Sequence, residues 1–358
     1  MGLPDWVPVR EELRELEPYG APQIPDLVNL NVNENPYAPS PDAIEDIARA
    51  VADASATLNR YPDREARELR TALAAYLGHG LTADRVWAAN GSNEVMLHVL
   101  QAFGGPDRTA LSFAPTYSMY PEYARDTNTR WVTGQREDDF TVDVDRAVAL
   151  IGEERPDVVL LASPNNPTGT ALPLDTVKAV LDVAPGIVVV DEAYAEFRRA
   201  GTPTTLELLD DHPRLLVSRT MSKAFALAGG RLGYIAADSA IIDALRIVRL
   251  PYHLSAVSQA VALAALRNSD ELLAKVDELR SARDDLAAWL QARGHDVAES
   301  DANFVLFGRF ADRHAVWQGL VDRGVLIRET GPEGWLRVSV GTPDEMALFH
   351  RALEEVTA

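Results

Sequence analysis

The sequence predicts an α/β fold: a large domain with a mostly parallel sheet sandwiched by helices, followed by a smaller α+β C-terminal domain. Near-continuous apolar runs such as DVVLLAS (157–163) are typical of strands buried on both faces of a sheet. These runs alternate with helical patterns such as 174–184, and the alternation favours parallel strands. From about Asp238 the pattern changes to long helices, and short strands return after Gly294.

The elements are expected in the following order along the chain. Residues 1–30 contain five prolines, which favour an extended arm with one short helix over 10–16. In the large domain, strands are expected at 85–90, 109–114, 157–163, 186–193, 214–220 and 231–237, and helices over 93–103 and 174–184. Helices resume after 238 and break at Pro251; strands then follow at 304–309, 324–329 and 335–341, with a last helix over 343–356. The predicted domain limits are 1–35 for an N-terminal arm, 36–245 for the large domain and 246–358 for the small domain, which part of the arm joins.

Composition narrows the range of functions. The chain has 358 residues, of which 47% are hydrophobic, enough to form a sizeable core. The absence of cysteine excludes disulfides, thiolate nucleophiles and Cys-ligated metal sites, and no metal is expected. The formal net charge of −20 argues against binding to nucleic acid or to anionic membranes. With no recognisable signal peptide and no apolar run of membrane-spanning length, a soluble cytoplasmic protein is expected.

Residues suited to chemistry follow four of the predicted strands. In open parallel sheets, ligands bind at the carboxyl edge of the strands. Ser92 begins a helix at this edge, and a helix start offers free N–H groups to a phosphate. Asn166, Asp191 and Lys223 follow three other strands, and Arg231 comes after a Gly-Gly pair that lets the chain fold back. A buried carboxylate or lysine is costly unless it has a partner or a reaction to perform.

One ligand matches these groups. Its aldehyde would bond to Lys223, and its ring nitrogen would face Asp191. Its phenolic oxygen would accept hydrogen bonds from Asn166 and Tyr194. The residues expected to hold its phosphate are Ser92, Thr220, Ser222 and Arg231. Such a ligand is pyridoxal 5'-phosphate, so the sequence predicts this cofactor.

Ten segments of the chain resemble the fold-type I pyridoxal-phosphate aminotransferases of the class II family. They are LNVNENPYAPSP (30–41), RYPD (60–63), NGSNE (90–94), APTYSMYP (114–121), SPNNPTG (163–169), VVDEAY (189–194), SRTMSKAFALAGGRLGY (218–234), RLPYHLSAVSQA (249–260), DANFVLFG (301–308) and WLRVSVGT (335–342). Because NENPY, SKAFALAG and LPYHLS occur together, the chain is most similar to the histidinol-phosphate aminotransferase family in its actinobacterial form. The resemblance covers nearly the whole chain.

The resemblance implies a role for each matching residue. Lys223 would hold the cofactor covalently and move the substrate proton, and Asp191 would pair with the ring nitrogen. Asn166 and Tyr194 would hydrogen-bond the ring oxygen, while Tyr117 would stack on the ring. The implied phosphate contacts are Ser92, Asn93, Thr220, Ser222 and Arg231, together with Tyr61 from a neighbouring subunit. The implied substrate contacts are Tyr19, Asn33, Tyr252, Arg328 and Arg337.

The resemblance also implies the reaction. An enzyme of this kind transfers the amino group of L-histidinol phosphate to 2-oxoglutarate, giving imidazole acetol phosphate and L-glutamate in histidine biosynthesis. Its partners would be a small amino donor, a 2-oxo acid and a second copy of the chain, because Tyr61 would complete the neighbouring site of a homodimer.

Other functions are weighed against this one. Two alternatives on the same scaffold stay open: an aromatic amino-acid aminotransferase and a pyridoxal-phosphate decarboxylase of a phosphorylated amino acid. A cofactor-binding regulator would need a DNA-binding domain, and the sequence shows no basic patch for one. A nicotinamide dehydrogenase would need the G-x-G-x-x-G spacing, which AGGRLG lacks.

Overall fold

The computed structural model describes residue 4 and residues 6–358. In this part of the chain the strands are β1 (Val28–Asn29), β2 (Val86–Ala89), β3 (Thr109–Ala114), β4 (Arg130–Gln135), β5 (Val158–Ala162), β6 (Ile187–Asp191), β7 (Leu215–Thr220), β8 (Gly233–Ala237), β9 (Asp296–Val297), β10 (Phe304–Gly308), β11 (Val325–Leu326), β12 (Arg328–Glu329) and β13 (Trp335–Ser339). The helices are α1 (Pro41–Ser55), α2 (Arg67–Leu77), α3 (Ser92–Phe103), α4 (Met119–Asp126), α5 (Val144–Glu154), α6 (Leu174–Val183), α7 (Ser239–Val248), α8 (Ala256–Arg267), α9 (Ser269–Leu272), α10 (Val276–Ala292), α11 (Arg313–Val321) and α12 (Pro343–Thr357). Within the same residues, no helix has both the length and the apolar character needed to span a membrane.

The central sheet has seven strands in the order β2-β8-β7-β6-β5-β3-β4. Strand β8 runs antiparallel to both of its neighbours, whereas the pairs from β7 to β4 are all parallel. Strands β5, β6 and β7 are buried along their whole length. The predicted α/β class with a mostly parallel sheet is therefore confirmed.

Alternate residues of the buried strands face two different helical layers. Val158 and Leu160 of β5 pack in one apolar cluster with α3, α4 and α7. Val159 and Leu161 pack in another, with helices that include α2, α5, α6 and α8. Because both faces of the strand are covered, the sequence needs apolar residues at every position there.

A second, antiparallel sheet lies in the C-terminal part of the chain, in the order β12-β13-β10-β9. Its strand residues Phe304 and Phe307 share an apolar cluster with α10 and α12. Strand β1 pairs in parallel with β11, Val28 opposite Val325, so the N-terminal segment packs with C-terminal elements. The domain limits at residues 35 and 245 stay predictions.

Two predicted elements are wrong in detail. The helix predicted over 10–16 is a single 3-10 turn at Glu11–Leu13 with no buried residue. A segment this short is not stable as a helix unless it packs an apolar face against the core. The strand predicted at 324–329 is divided, because β11 pairs with β1 whereas β12 pairs with β13. This change of partner leaves Ile327 between two short strands.

Gly186 lies where the chain enters β6 beside the start of β5. A Cβ atom at Gly186 would lie 2.0 Å from the main-chain oxygen of Asp157. That oxygen accepts the hydrogen bond of the Ile187 amide, so it cannot move away without breaking the parallel pairing. We expect Gly186→Ala to lower the free energy of unfolding by about 1–3 kcal/mol. A lower midpoint of thermal unfolding, followed by circular dichroism, would show this.

Gly152→Ala is the matched control. Gly152 lies within α5, and a Cβ atom there would have no heavy atom within 4 Å. Since alanine favours a helix interior by about 0.8–1.0 kcal/mol over glycine, this variant should be at least as stable as the unaltered protein. Equal unfolding midpoints for the two variants would contradict the prediction for Gly186.

Candidate active site

One cavity of about 260 Å³ lies at the carboxyl edge of the central sheet. Most of the site residues predicted from the sequence line it: Tyr19, Asn33, Ser92, Asn93, Tyr117, Asn166, Asp191, Tyr194, Thr220, Ser222, Lys223, Arg231, Arg328 and Arg337. They come from both sheets and from the N-terminal segment, so the cavity forms only in the folded chain. Tyr61 and Tyr252 are not among its lining residues.

Lys223 presents its amine to this cavity three residues beyond the end of β7. The Nζ atom donates a hydrogen bond to the main-chain oxygen of Val32 at 2.9 Å. Burial, and then the nearby guanidinium groups of Arg337 and Arg231, lower the pKa of Lys223 to about 8, although Glu34 opposes them. A substantial fraction of this amine is therefore neutral near physiological pH, as a nucleophile or a general base requires.

Asp191 ends β6 and is buried at the cavity wall. Its carboxylate accepts hydrogen bonds from the hydroxyls of Ser218 and Tyr120 at 3.0 and 3.2 Å. Burial raises the pKa of Asp191 to about 6, and these hydrogen bonds only partly offset the effect. A cationic ring nitrogen facing Asp191 would lower that pKa again, because an opposite charge nearby favours the ionised carboxylate.

Sequence reasoning missed the two hydroxyls that hold Asp191. Ser218 lies directly opposite Asp191 in the parallel register of β6 and β7, which places both side chains on the same face. The alternation of the strand sequences could have identified it once the register was known. Tyr120 is fully buried on α4 and reaches Asp191 from a different part of the chain. No spacing in the sequence relates these two residues.

The start of α3 forms a donor-rich corner of the cavity. It packs so closely against β8 that a Cβ at Gly233 would lie 2.2 Å from the Ser92 amide nitrogen. A Cβ at Gly91 would lie 2.5 Å from the Nη2 atom of Arg231, so a larger residue would displace the guanidinium, and the φ of 83° at this position also favours glycine. A helix start and an arginine side by side are suited to binding a phosphate.

Two hydroxyl groups complete this corner. The Oγ1 atom of Thr220 lies 3.0 Å from the Oγ atom of Ser222. Arg231 donates to the same Ser222 hydroxyl at 3.4 Å, and its backbone adopts a φ of 51°. The structure thus brings together the predicted phosphate contacts from β7, the following loop and the start of α3.

Arg337 lies on β13 and is buried in the cavity wall. It donates from Nη2 to the main-chain oxygen of Asn31 at 2.7 Å and from Nη1 to the Oδ1 atom of Asn166. Burial lowers the pKa of Arg337 to about 10, which still leaves it cationic near neutral pH. Its Nε atom is buried and has no hydrogen-bond partner among the described residues. This cation is suited to holding an anionic group of a substrate.

Neighbouring side chains hold the aromatic residues of the cavity in place. Tyr117 meets Tyr120 edge to face, with ring centroids 5.6 Å apart, and its hydroxyl donates to Asn93 at 3.4 Å. Tyr19 exchanges a hydrogen bond of 2.7 Å with Ser118, which connects the N-terminal segment to the start of α4 at the cavity. Ser118 also lines the cavity and was not predicted from the sequence.

Tyr61 and Tyr252 lie together on the surface, outside the cavity of their own chain. Their rings stack with centroids 4.4 Å apart, and 80% of Tyr61 is exposed. Tyr252 has a left-handed backbone with a φ of 60° and is 39% exposed. As a contact to substrate within one chain, Tyr252 is therefore not supported, because its ring packs against Tyr61 instead.

The assembled groups can hold a phosphorylated aldehyde. Lys223 supplies an amine that is partly neutral, Asp191 supplies a carboxylate in need of a cation, and the corner at α3 supplies phosphate donors. The donor set fits pyridoxal phosphate, for which a lysine and an acidic partner of the ring nitrogen are required. Within the described residues, no group of three His, Asp or Glu side chains is placed to hold a metal ion.

A mostly parallel sheet with this lysine and this acid at its carboxyl edge defines a pyridoxal-phosphate enzyme of fold-type I. The chain belongs to the family "Aminotransferase class I and II", whose sequence model matches residues 25–353.

Individual relatives within this family are also similar to the chain over nearly its whole length. The chain is 64% identical to histidinol-phosphate aminotransferase of Thermobifida fusca over 353 residues, which cover 99% of this chain and 96% of the relative. It is 59% identical to histidinol-phosphate aminotransferase 3 of Burkholderia lata, over 98% of this chain and 96% of that one. A solved structure of histidinol-phosphate aminotransferase from Sinorhizobium meliloti in complex with pyridoxal-5'-phosphate matches with a TM-score of 0.82 and 26% identity, over 92% of this chain and 90% of that one.

The lowered pKa of Lys223 gives a prediction for the protein free of cofactor. The chain has three lysines, Lys178, Lys223 and Lys275, so each can be followed in its own peptide. We expect a small amine-selective acylating reagent to modify Lys223 with a midpoint near pH 8, where its amine becomes neutral. Mass spectrometry of the lysine peptides across a pH series measures this midpoint.

Lys275 serves as the internal control. Its hydrogen bond to Glu278 raises its pKa, so its modification should require a higher pH than that of Lys223. If Lys223 were modified only at the same pH as Lys275, the argument from burial and the two arginines would be wrong.

Proposed function

We propose that this protein transfers the amino group of L-histidinol phosphate to 2-oxoglutarate and forms imidazole acetol phosphate and L-glutamate. The observation that carries the proposal is the full-length similarity to relatives named histidinol-phosphate aminotransferase, at 54–64% identity in the most similar ones. The cavity supports it, since three arginines line a pocket that also holds a lysine amine. These relatives do not favour the aromatic aminotransferase or the decarboxylase.

Pyridoxal 5'-phosphate is the cofactor. Lys223 would bind it covalently, and Asp191 would face its ring nitrogen from the floor of the cavity. The residues that would hold its phosphate are Ser92, Asn93, Thr220, Ser222 and Arg231. When bound, the cofactor supplies an electron-accepting ring that stabilises negative charge on the substrate carbon.

The residues of the chain carry out the proton transfers and the positioning. The neutral amine of Lys223 removes the proton from the substrate carbon and later returns a proton. Ser218 and Tyr120 hold the carboxylate of Asp191, which would face the ring nitrogen. Tyr194 and Asn166 reach the same cavity, where they would hydrogen-bond the ring oxygen.

Arginine is the residue type that the two substrates require. The amino donor carries a phosphate and no carboxylate, whereas 2-oxoglutarate carries two carboxylates. A planar guanidinium can bind either anion through two parallel hydrogen bonds, which an ammonium group cannot do equally well. Arg328 and Arg337 line the cavity from β12 and β13 and not from the elements of the phosphate corner, so they are our candidates for this contact.

We also propose that the protein is a homodimer in the cytoplasm. Four exposed apolar side chains lie in or near the segment around Tyr252: Tyr61, Ile247, Leu250 and Tyr252 itself. Exposed groups of this kind favour a protein interface. In such a dimer, Tyr61 would reach the cofactor phosphate of the neighbouring subunit, and Tyr252 would accompany it.

A panel of amino donors tests the substrate proposal. With 2-oxoglutarate as acceptor, kcat/KM for L-histidinol phosphate should exceed that for L-histidinol by at least about tenfold, because charge-assisted hydrogen bonds contribute about 1.5–3 kcal/mol. Glutamate release by the purified protein measures the rates.

Assays on the same purified protein also test the two alternative functions. A higher kcat/KM for phenylalanine than for L-histidinol phosphate would indicate an aromatic amino-acid aminotransferase. Carbon dioxide release without any requirement for a 2-oxo acid would indicate a decarboxylase.

Arg337→Lys is the matched variant: it keeps the charge, loses the planar fork and should lower kcat/KM for the phosphorylated donor.

Mixed dimers test the proposed role of Tyr61. Lys223→Ala and Tyr61→Ala proteins should each be nearly inactive, whereas co-expression should restore about a quarter of the unaltered activity. The reason is that a mixed dimer contains one site with both natural residues. Activity of the unfractionated co-expressed protein measures this recovery, and mixed dimers isolated through tags on the two variants should reach about half of the unaltered activity.

Asn166→Ala provides the control for this experiment. Asn166 and Lys223 line the same cavity of one chain, so their variants should not restore activity to each other. Recovery in neither mixture would argue against a shared site, and equal recovery in both would indicate recombination or contamination rather than sharing.

A further inference from the structure

The hydroxyl of Tyr194 has an unusual hydrogen-bond arrangement. Tyr194 is buried and lines the cavity, and burial raises its pKa, so it stays protonated. Its oxygen accepts a hydrogen bond of 2.9 Å from the Nδ2 atom of Asn33. A tyrosine oxygen that accepts from one side has its own proton available for another partner. Among the described residues this proton has no acceptor, and the cavity lies beside it.

The arrangement depends on which way the Asn33 amide points. With Nδ2 towards Tyr194, the tyrosine donates into the cavity. With the amide reversed, Oδ1 would accept the tyrosine proton, and the cavity would lose a donor. The two ends of an asparagine amide are nearly the same in shape, so only their partners fix the orientation.

Ser339 supplies the partner that fixes it. Its Oγ atom accepts the main-chain N–H of Asn33 at 2.9 Å and donates to the Oδ1 atom of the same residue at 3.0 Å. Ser339 is buried, so its proton needs an acceptor, and Oδ1 is the acceptor within reach. If the amide were reversed, the serine proton would face an NH₂ group.

The backbone of Asn33 is held as firmly as its side chain. Asn33 has a left-handed φ of 58°, which asparagine tolerates better than most residues. Its main-chain oxygen accepts from the Nδ2 atom of Asn303 at 3.1 Å. These contacts keep the side-chain amide of Asn33 beside both Ser339 and Tyr194.

We infer that Ser339 is a positioning residue that acts through Asn33 and sets Tyr194 to donate its proton into the cavity. The inference rests on the proposed function, in which the cavity holds the cofactor and Tyr194 faces its ring oxygen. A hydrogen bond donated to that oxygen withdraws negative charge from it. With the cofactor bound, the nitrogen of Lys223 would then hold its proton less tightly.

Other charged and titratable groups also face these residues. Those around Tyr194 are Arg337, Asp191, Tyr19 and Tyr117. Those around Lys223 are Arg337, Glu34 and Arg231. Ser339 carries no charge, so its replacement by alanine removes hydrogen bonds and leaves all these charges in place.

The test is a pH titration of the visible absorption of the purified holoenzyme. Ser339→Ala should raise the midpoint pH of the absorption change by about 0.5–1, the effect of losing one hydrogen bond of ordinary strength. Tyr194→Phe should raise the same midpoint at least as far. Ser339→Thr keeps the hydroxyl and should return the midpoint to that of the unaltered protein.

Ser300→Ala is the matched control. Ser300 is also buried, donates to the main-chain oxygen of Phe304 at 2.6 Å and accepts from the Ala302 amide at 3.1 Å. Its loss should lower the thermal unfolding midpoint about as much as Ser339→Ala does. It makes no hydrogen bond with Asn33 among the described residues, and the absorption midpoint should therefore stay unchanged.

A double variant separates positioning from general destabilisation. On a Tyr194→Phe background, Ser339→Ala should cause no further change in the absorption midpoint, because the proton that it orients is gone. An equal change on both backgrounds, or no change on either, would overturn the inference. If the unaltered protein bound no cofactor and gave no visible band, the proposed cofactor and the inference would both fall.

Asn33→Asp keeps the test decisive if Ser339→Ala does not fold. A carboxylate can only accept, so it would draw the Tyr194 proton out of the cavity. Its added charge also raises the midpoint, and the Tyr194→Phe background measures that part alone. The rise must therefore be larger with Tyr194 present, and equal rises would overturn the inference.

Discussion

The burial of one amine at the joint between two sheets is the constraint on which the site depends. Lys223 follows a strand of the large sheet, yet its Nζ atom donates to Val32 in the N-terminal segment. Desolvation together with Arg337 and Arg231 keeps the pKa of this lysine near 8. A solvent-exposed lysine would be almost wholly protonated at neutral pH and could not serve as a base. The fold thus both places Lys223 in the cavity and lowers the pKa of its amine.

Three consecutive residues connect this amine to the rest of the site. The main-chain oxygen of Asn31 accepts from Arg337, that of Val32 accepts from Lys223, and the side chain of Asn33 donates to Tyr194. A shift of this segment would move all three contacts together. Pairing of β1 with β11 holds it from one side, and this explains why an N-terminal arm belongs to the site although it lies outside the central sheet.

The sequence could predict six of the seven strands of the central sheet, because each of these six is a short apolar run in the chain; strand β4, which is partly exposed, is not among the predicted elements. The apolar runs around residues 157–163 and 214–220 mark strands wherever they pack, and ligand-binding residues at strand ends follow from topology. The two hydroxyls on Asp191 could not be predicted in this way. Ser218 depends on the register between two strands, and Tyr120 depends on how a helix packs over the sheet. The helix predicted over 10–16 was wrong for a similar reason: an isolated helical pattern needs a tertiary partner, and the segment forms only a 3-10 turn at Glu11–Leu13.

The acidic surface of the protein and the arginines of its cavity have opposite effects on anionic substrates. The chain carries a net charge of −20, which at long range repels anions. Elsewhere in the described chain many arginines are paired, as Arg219 is with Glu192 and Arg249 with Glu65. The arginines that line the cavity, Arg231, Arg328 and Arg337, form no ion pair with a carboxylate among the described residues. Because screening limits the surface field to about 8–10 Å, these cations determine the potential that a bound anion experiences. An acidic exterior is therefore compatible with a cavity whose cations are suited to binding phosphate and carboxylate groups.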